Sequence, residues 1–243
     1  MALQNVQMTA KRLGVNQARV RRLLASGRLD GSKVGSHWVI DDDAITLRRE
    51  LSSAARSRPL SVRTAWSTAA VLDDLDTSWL STSERSRIRS RMRRREAAEA
   101  VSTRWWMQAR ASTRRYRVAD NDIAELLQAS GVVSGGISAA NSYGLGLSHS
   151  SEAEIYTGVD MVDGLVDEFF LTESTQGNLA VHVVPDGEAW HQRTARMRRG
   201  RLTVPRLIVA VDLLDSDDTR SRRAGAELLH SVLPASANGL RVA

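Results

Sequence analysis

The chain has 243 residues, no cysteine and a formal net charge of +6. This length suffices for two or three small domains with ordinary cores, and the lack of cysteine excludes disulfides, cysteine-based zinc sites and thiol catalysis. The sequence has neither a signal-peptide pattern nor a run of about 18 apolar residues, so we expect a cytoplasmic protein without a membrane span.

Charge is distributed unevenly along the chain. Residues 1–117 hold 24 Lys and Arg against 11 Asp and Glu, whereas residues 118–243 hold 10 against 17. A basic front half and an acidic back half indicate that one part of the protein faces nucleic acid and that the other part has a different task.

The first predicted domain spans residues 1–51 and contains two helices, a β-hairpin and a third helix that starts at Asp41-Asp42-Asp43. Gly14 supplies the turn after the first helix, and Asn16 is a good N-cap for the second. The second helix has one apolar stripe, because Val20, Leu23 and Leu24 follow the i, i+3, i+4 pattern. The stripe leaves polar side chains available on the other faces, near the start of the helix. Residues 33–40 are predicted to form two short strands around a Gly-Ser turn.

These elements resemble the winged helix-turn-helix of the excisionase and MerR-type families. The resemblance rests on the Leu-Gly-Val-Asn turn, the Arg-Val-Arg-Arg-Leu-Leu helix, the Ser-Gly-Arg-Leu exit and the Val-Gly-Ser-His-Trp-Val-Ile wing. It implies that the second helix enters the major groove of DNA and that the wing contacts the backbone or the minor groove. The residues expected to contact DNA are Arg12, Gln17, Arg19, Arg21, Arg22, Arg28, Lys33, Ser36 and His37.

The second predicted region, residues 60–117, is helical and basic. Helices are expected over residues 64–75 and 81–95, and residues 97–117 are predicted to continue as a helix or a helix pair. The helix at 81–95 carries a run of arginines. Two interpretations of this run stay open: it contacts phosphates and adds affinity for nucleic acid, or it is a solvated face that nearby acids neutralise.

The third predicted region, residues 118–243, is a mixed α/β domain with the element order β-α-β-α-β-α-α. The predicted fold class is therefore α+β, with an N-terminal winged helix-turn-helix, a helical middle region and a C-terminal mixed α/β domain. We expect the acidic α/β domain to provide the contact with a second copy of the chain or with a protein partner.

The α/β region resembles the AbiEi-type antitoxins of type IV toxin–antitoxin systems. The resemblance rests on residues 133–140, with Tyr143-Gly144-Leu145 after them, and on residues 202–214 and 220–229. It implies an antitoxin-like repressor of its own operon, with a toxin as one possible partner.

The same region is also similar to a degenerate nucleotidyltransferase. In that fold, glycines such as Gly135-Gly136 precede two carboxylates on the next strand, here Glu152 and Glu154, and the carboxylates hold metal ions that clamp nucleotide phosphates. A later strand offers His182 where a third acid is expected.

Other chemistry finds no support in the sequence. No Gly-Lys-Ser/Thr follows Gly135-Gly136, no Gly-x-Ser-x-Gly elbow occurs, and the five histidines lack metal-site spacing. We therefore expect a transcriptional regulator that is not an enzyme, needs no cofactor, and binds double-stranded DNA as a homodimer or a tandem assembly. The alternatives are the nucleotidyltransferase-like enzyme and an excisionase-like architectural DNA-binding protein.

Overall fold

The computed structural model describes residues 3–26, 29–35, 37–42, 44–45, 59–94, 100–147, 151–185 and 188–233. The chain divides into two compact units, Met1–Arg58 and Pro59–Ala243. Each unit combines helices with a β-sheet, so the fold is mixed α+β, as predicted at this level. Among the described residues, no helix has both the length and the apolar character needed to cross a bilayer.

Among its described residues, unit 1 contains two helices, a further helical segment at residues 44–45 and a three-stranded antiparallel sheet in the order β1-β3-β2. The first helix ends at Gly14, which adopts a left-handed conformation with φ of 65°. The second helix begins after Asn16, whose side-chain oxygen accepts a hydrogen bond from the amide of Arg19 at 2.8 Å. The predicted turn and N-cap are thus confirmed. The elements are β1 (Leu3–Gln4), α1 (Val6–Leu13), α2 (Gln17–Ala25), β2 (Ser32–Val34) and β3 (His37–Asp41).

The core of unit 1 is small and draws on every helix and on β3. The predicted stripe of α2 is buried, with Val20 at 0% exposure and Leu23 and Leu24 at 4% and 6%. These side chains pack with Ala10 of α1 and with Ile40 of β3. Because the stripe occupies the core, the opposite side of α2 remains in solvent.

Unit 2 is built on a seven-stranded mixed sheet in the order β7-β4-β8-β6-β5-β10-β9. Its strands are β4 (Ser112–Arg117), β5 (Val133–Ser134), β6 (Ala153–Gly158), β7 (Thr172–Glu173), β8 (Leu179–Val184), β9 (Arg196–Arg198) and β10 (Arg201–Thr203). Its helices are α3 (Val62–Leu72), α4 (Thr82–Arg94), α5 (Ala100–Met107), α6 (Ile123–Leu126), α7 (Gly136–Ala140), α8 (Val162–Glu168), α9 (Trp190–Thr194), α10 (Arg206–Asp215) and α11 (Thr219–Val232). Short 3-10 turns cover Gln108–Arg110, Asp120–Asp122, Asn141–Tyr143 and Val159–Met161.

The centre of the sheet is the parallel pair β6 and β8, with β4 antiparallel to β8 on the far side. Side chains alternate between the two faces of a strand. Ile155 and Val181 therefore enter one apolar cluster, with α6 and α8 over it. Tyr156 lies on the other face, in a larger cluster that includes residues of α3, α10 and α11.

The predicted helix or helix pair at 97–117 is wrong over its second half. Helix α5 ends at Met107, and Ser112–Arg117 forms β4. Residues 112–116 pair with 179–183 of β8. The polar sequence of β4 is compatible with a strand because, apart from Tyr116, its side chains lie on the surface, while its backbone hydrogen bonds go to β8 and β7.

The predicted boundary after residue 117 does not separate two compact units. Trp66 of α3 and Met107 of α5 belong to the same apolar cluster as Val133 of β5 and Ile208 of α10. The basic helical region and the acidic α/β region therefore share one core. Helix α9 and the β9–β10 hairpin were also absent from the predicted element order.

Candidate functional site

The exposed side of α2 carries four of the residues predicted to contact DNA. Gln17, Arg19, Arg21 and Arg22 are all exposed. Arg21 donates a hydrogen bond to Gln17 at 3.3 Å, one helical turn away. Three guanidinium groups and one amide thus lie in solvent within the first two turns of one helix, where they could reach an anionic surface.

The other residues predicted to contact DNA lie outside this helix, and they differ in their exposure and in their pairing. Lys33 on β2 and His37 on β3 are exposed beside the turn of the hairpin. Arg12 on α1 forms an ion pair with Asp42, so part of its charge is already balanced. Arg28 and Ser36 lie outside the described residues.

Helix α4 of unit 2 begins with a capping box. The Ser81 hydroxyl accepts from the amide of Glu84 at 3.2 Å, and the Glu84 carboxylate accepts from the amide of Ser81 at 2.8 Å. Arg63 donates to the same carboxylate at 2.9 Å. The hydrogen bond from the Ser81 amide is the largest cause that lowers the pKa of Glu84, to about 2, and the hydrogen bond from Arg63 is the second.

Three arginines of α4 lie on its solvent side. Ile88 and Met92 are buried at 9% and 5% exposure, as their i, i+4 spacing predicts. Arg87, Arg89 and Arg91 are exposed. The helix therefore offers a basic surface, and both interpretations of the arginine run remain compatible with it.

A second basic surface lies in the β9–β10 hairpin, within the otherwise acidic half. Arg196, Arg198 and Arg199 are exposed, and Arg199 and Gly200 form the turn with φ of 48° and 78°. The guanidinium of Arg198 lies 4.8 Å from the centre of the Tyr143 ring. The division into halves concealed this surface, because it averages over 126 residues.

A cluster of buried polar side chains lies on one face of the central strands of unit 2. Glu154 and Tyr156 of β6 point to this face because they are two residues apart, and His182 of β8 is the register partner of Tyr156. The rings of Tyr156 and His182 are stacked, with centroids 4.5 Å apart and planes 20° apart. The sheet itself therefore places an imidazole beside a carboxylate.

The imidazole of His182 is held at both nitrogens. Its Nε2 lies 2.6 Å from the Glu154 carboxylate, and its Nδ1 lies 2.9 Å from the hydroxyl of Thr113 on β4. The second oxygen of Glu154 accepts from the amide of Ile137 at 3.2 Å. The orientation of each group is thus set by a neighbouring strand or helix.

Asp212 of α10 completes the cluster from the opposite side. Its Oδ1 accepts from Arg110 and from the hydroxyl of Tyr156, both at 2.7 Å. Its Oδ2 accepts from the amide of Gly136 at 3.1 Å. Arg110 also donates to the Tyr156 oxygen at 2.9 Å. The side chains of Arg110 and Asp212 have 6% and 0% exposure, so this ion pair is almost completely shielded from water.

Burial and neighbouring charges shift the pKa values in this cluster. Burial opposes ionisation of Glu154, but the hydrogen bond and charge of His182 outweigh it and lower the pKa of Glu154. Burial and the charge of Asp212 raise the pKa of Tyr156 well above its usual value, against the opposing charge of Arg110. Burial also opposes the charge on Arg110, yet Tyr156 and Asp212 raise its pKa. Glu154 and Arg110 are therefore charged at neutral pH, and Tyr156 keeps its proton.

The glycine pair predicted to precede the carboxylates lies against one of them, Glu154. Gly136 has φ of 34°, and a Cβ at this position would overlap the carboxylate of Glu154. A Cβ at Gly135 would come within 2.6 Å of the Tyr156 ring and 3.1 Å of the Asp212 carboxylate. Close approach of the backbone therefore requires glycine at both positions. Glu152, the other acid of the predicted pair, is exposed at the wall of the adjoining cavity.

The cluster opens into a cavity of about 570 Å³. Glu154, His182 and Asp212 line it, and their ligand-type atoms lie within 4.8 Å of one another. These three side chains are the described residues that could hold a metal ion. The nucleotidyltransferase interpretation of the sequence named Glu154 and His182 but missed Asp212, which lies 30 positions after His182 on another element. The available signal was one polar residue inside each of two apolar runs, His182 in β8 and Asp212 in α10.

Comparison with known proteins gives no relative: no family model, no curated protein and no solved structure matches the chain.

Proposed function

We propose that the chain is a sequence-specific DNA-binding transcriptional regulator that docks through α2, with the β2–β3 hairpin as a wing. The observation that carries this proposal is the division of α2 between core and solvent. Its three apolar side chains are buried, and all four polar residues predicted to contact DNA are exposed. A helix with this division can be held rigidly while it presents Arg and Gln to base edges.

The dimensions of α2 support the same proposal. Its nine residues correspond to a length of about 14 Å at about 1.5 Å per residue. The major groove is about 12 Å wide, which admits a helix. The exposed Lys33 and His37 on the neighbouring hairpin are placed to contact phosphates that flank the groove.

Binding to a DNA fragment that contains the promoter of the chain's own gene tests this function. Arg21→Ala is expected to weaken specific binding by about 1–3 kcal/mol, because a bidentate contact between arginine and guanine contributes about this much binding free energy. Arg223→Ala is the matched control, since Arg223 is 83% exposed on α11 and pairs only with Glu227 among the described residues. Wild-type affinity that does not fall with salt, or equal affinities of the two variants, would refute the assignment.

The acidic α/β region, residues 118–243, supports a role in assembly. One small winged domain buries too little surface for strong site selection, so a dimer or tandem array on repeated half-sites accompanies this function. The resemblance to AbiEi-type antitoxins further favours autoregulation and a toxin or other protein partner. Light scattering of the chain alone, and with the product of the adjacent gene, tests both forms of assembly.

A second candidate function is nucleotidyl transfer, and one observation favours it. The Gly135–Gly136 backbone lies against Glu154, as expected where glycines precede a metal-binding carboxylate. The experiment is incubation with labelled nucleotides and Mg²⁺. Product formation that survives Glu154→Gln would exclude this site as its source.

A further inference from the structure

We propose that Glu154, His182 and Asp212 bind one divalent transition-metal ion at the floor of the cavity in unit 2. The three side chains come from β6, β8 and α10, and their ligand-type atoms lie within 4.8 Å of one another. They supply one imidazole nitrogen and carboxylate oxygens from two residues. This site is separate from the residues of α2, so it does not depend on the proposed DNA binding.

Hydrogen bonds outside the three residues orient them for a common ligand. The Thr113 hydroxyl lies 2.9 Å from Nδ1 of His182, so Nε2 is the nitrogen that faces Glu154. The amides of Ile137 and Gly136 hold one oxygen of Glu154 and one of Asp212. Metal-binding histidines are commonly oriented in this way through their second nitrogen.

The charge balance of the site favours a cation. Two carboxylates meet at the site, and Arg110 forms an ion pair with one of them, Asp212. A cation bound by Nε2 of His182 and the Glu154 oxygen would compensate the other carboxylate. The cavity wall carries Arg115 and four further acidic residues, of which Asp215 is already paired with Arg104 and Arg110, namely Glu152, Asp215, Asp217 and Asp218. Acidic side chains therefore outnumber basic ones in the lining, and such a cleft concentrates cations.

The ligand types select the class of ion. Mg²⁺ and Ca²⁺ prefer oxygen ligands alone, whereas an imidazole with carboxylates suits Zn²⁺ and similar ions. Zn²⁺ binds such atoms at about 2.0–2.2 Å, which puts two ligand atoms of a tetrahedral site roughly 3.4 Å apart. Nε2 and the Glu154 oxygen now lie 2.6 Å apart, so they must separate by about 0.8 Å, which rotation of the two side chains can supply. Because all three residues line the cavity, any open coordination position faces it.

Titration of the untagged, EDTA-treated full chain with ZnCl₂ in a calorimeter tests the site. We expect one equivalent of Zn²⁺ to bind, and Glu154→Gln and His182→Ala to weaken binding at least tenfold. Glu168→Gln and His230→Ala are matched controls, because both residues are exposed and neither lines the cavity. Both controls should bind Zn²⁺ as the wild type does.

A milder variant keeps the test informative if removal of a ligand prevents folding. Thr113→Val removes only the hydrogen bond to Nδ1, at a surface position where valine suits a strand. It is expected to lower the affinity for Zn²⁺ about tenfold, the lower end of the usual effect of an orienting group.

Absence of Zn²⁺ binding by the wild type would show that the cluster is a structural network only. Binding that persists unchanged in the Glu154, His182 and Thr113 variants would place the ion at another site on the chain. Either result overturns the proposal.

Discussion

Replacement of Arg110 by methionine removes a buried charge while it keeps a side chain of similar length. Arg110 and Asp212 have 6% and 0% side-chain exposure, so water does not screen the Asp212 carboxylate that is left behind. Loss of one partner of such a pair typically costs about 3–5 kcal/mol. Tyr156 and the amide of Gly136 still donate to Asp212, which places the expected loss near the lower end, at about 3 kcal/mol.

Urea unfolding in the presence of EDTA measures this loss, with tryptophan fluorescence as the signal. Trp66 reports on the site directly, because its indole donates to the Arg110 carbonyl at 3.0 Å and packs edge-on against Tyr156. Arg223→Ala serves as the control, since its exposed i, i+4 pair with Glu227 is worth only about 0.3–0.5 kcal/mol. A loss below about 1 kcal/mol for Arg110→Met would refute the interpretation of a desolvated, essential ion pair.

Two further predictions concern close packing and pH. Gly136→Ala forces a Cβ into the Glu154 carboxylate at φ of 34° and should destabilise unit 2 by about 1–3 kcal/mol in urea unfolding. Gly164→Ala, which meets no atom within 4 Å, should leave stability unchanged or raise it; equal losses would contradict the packing argument. The pKa of Glu84 is lowered from 4.5 to about 2, so its contribution is complete above pH 4.5 and is lost as the pH falls towards 2. Thermal unfolding should therefore show a gap between wild type and Glu84→Gln at pH 7 that narrows below pH 4.5, and a constant gap would argue against this role.

The sequence by itself determined the local structure of most described helices and of half of the described strands. Gly14 and Asn16 set the turn and the cap between α1 and α2 through their own backbone and side-chain chemistry. The stripe of α2 followed from its spacing alone, because helical geometry places i, i+3 and i+4 on one side. These features depend on residues a few positions apart, so they can be derived without knowledge of the remaining chain.

Only the tertiary structure decided the features that depend on distant residues. Ser112–Arg117 has a polar sequence and becomes a strand because β8 and β7 supply its backbone partners. The helical region and the α/β region form one unit because Trp66 and Ile208 share a core. Glu154, His182 and Asp212 meet because parallel pairing of β6 with β8 and packing of α10 bring three separate segments together. The sequence suggested that Glu154 and His182 belong to one site, but spacing along the chain does not show that Asp212 joins them, since the site depends on distance in space.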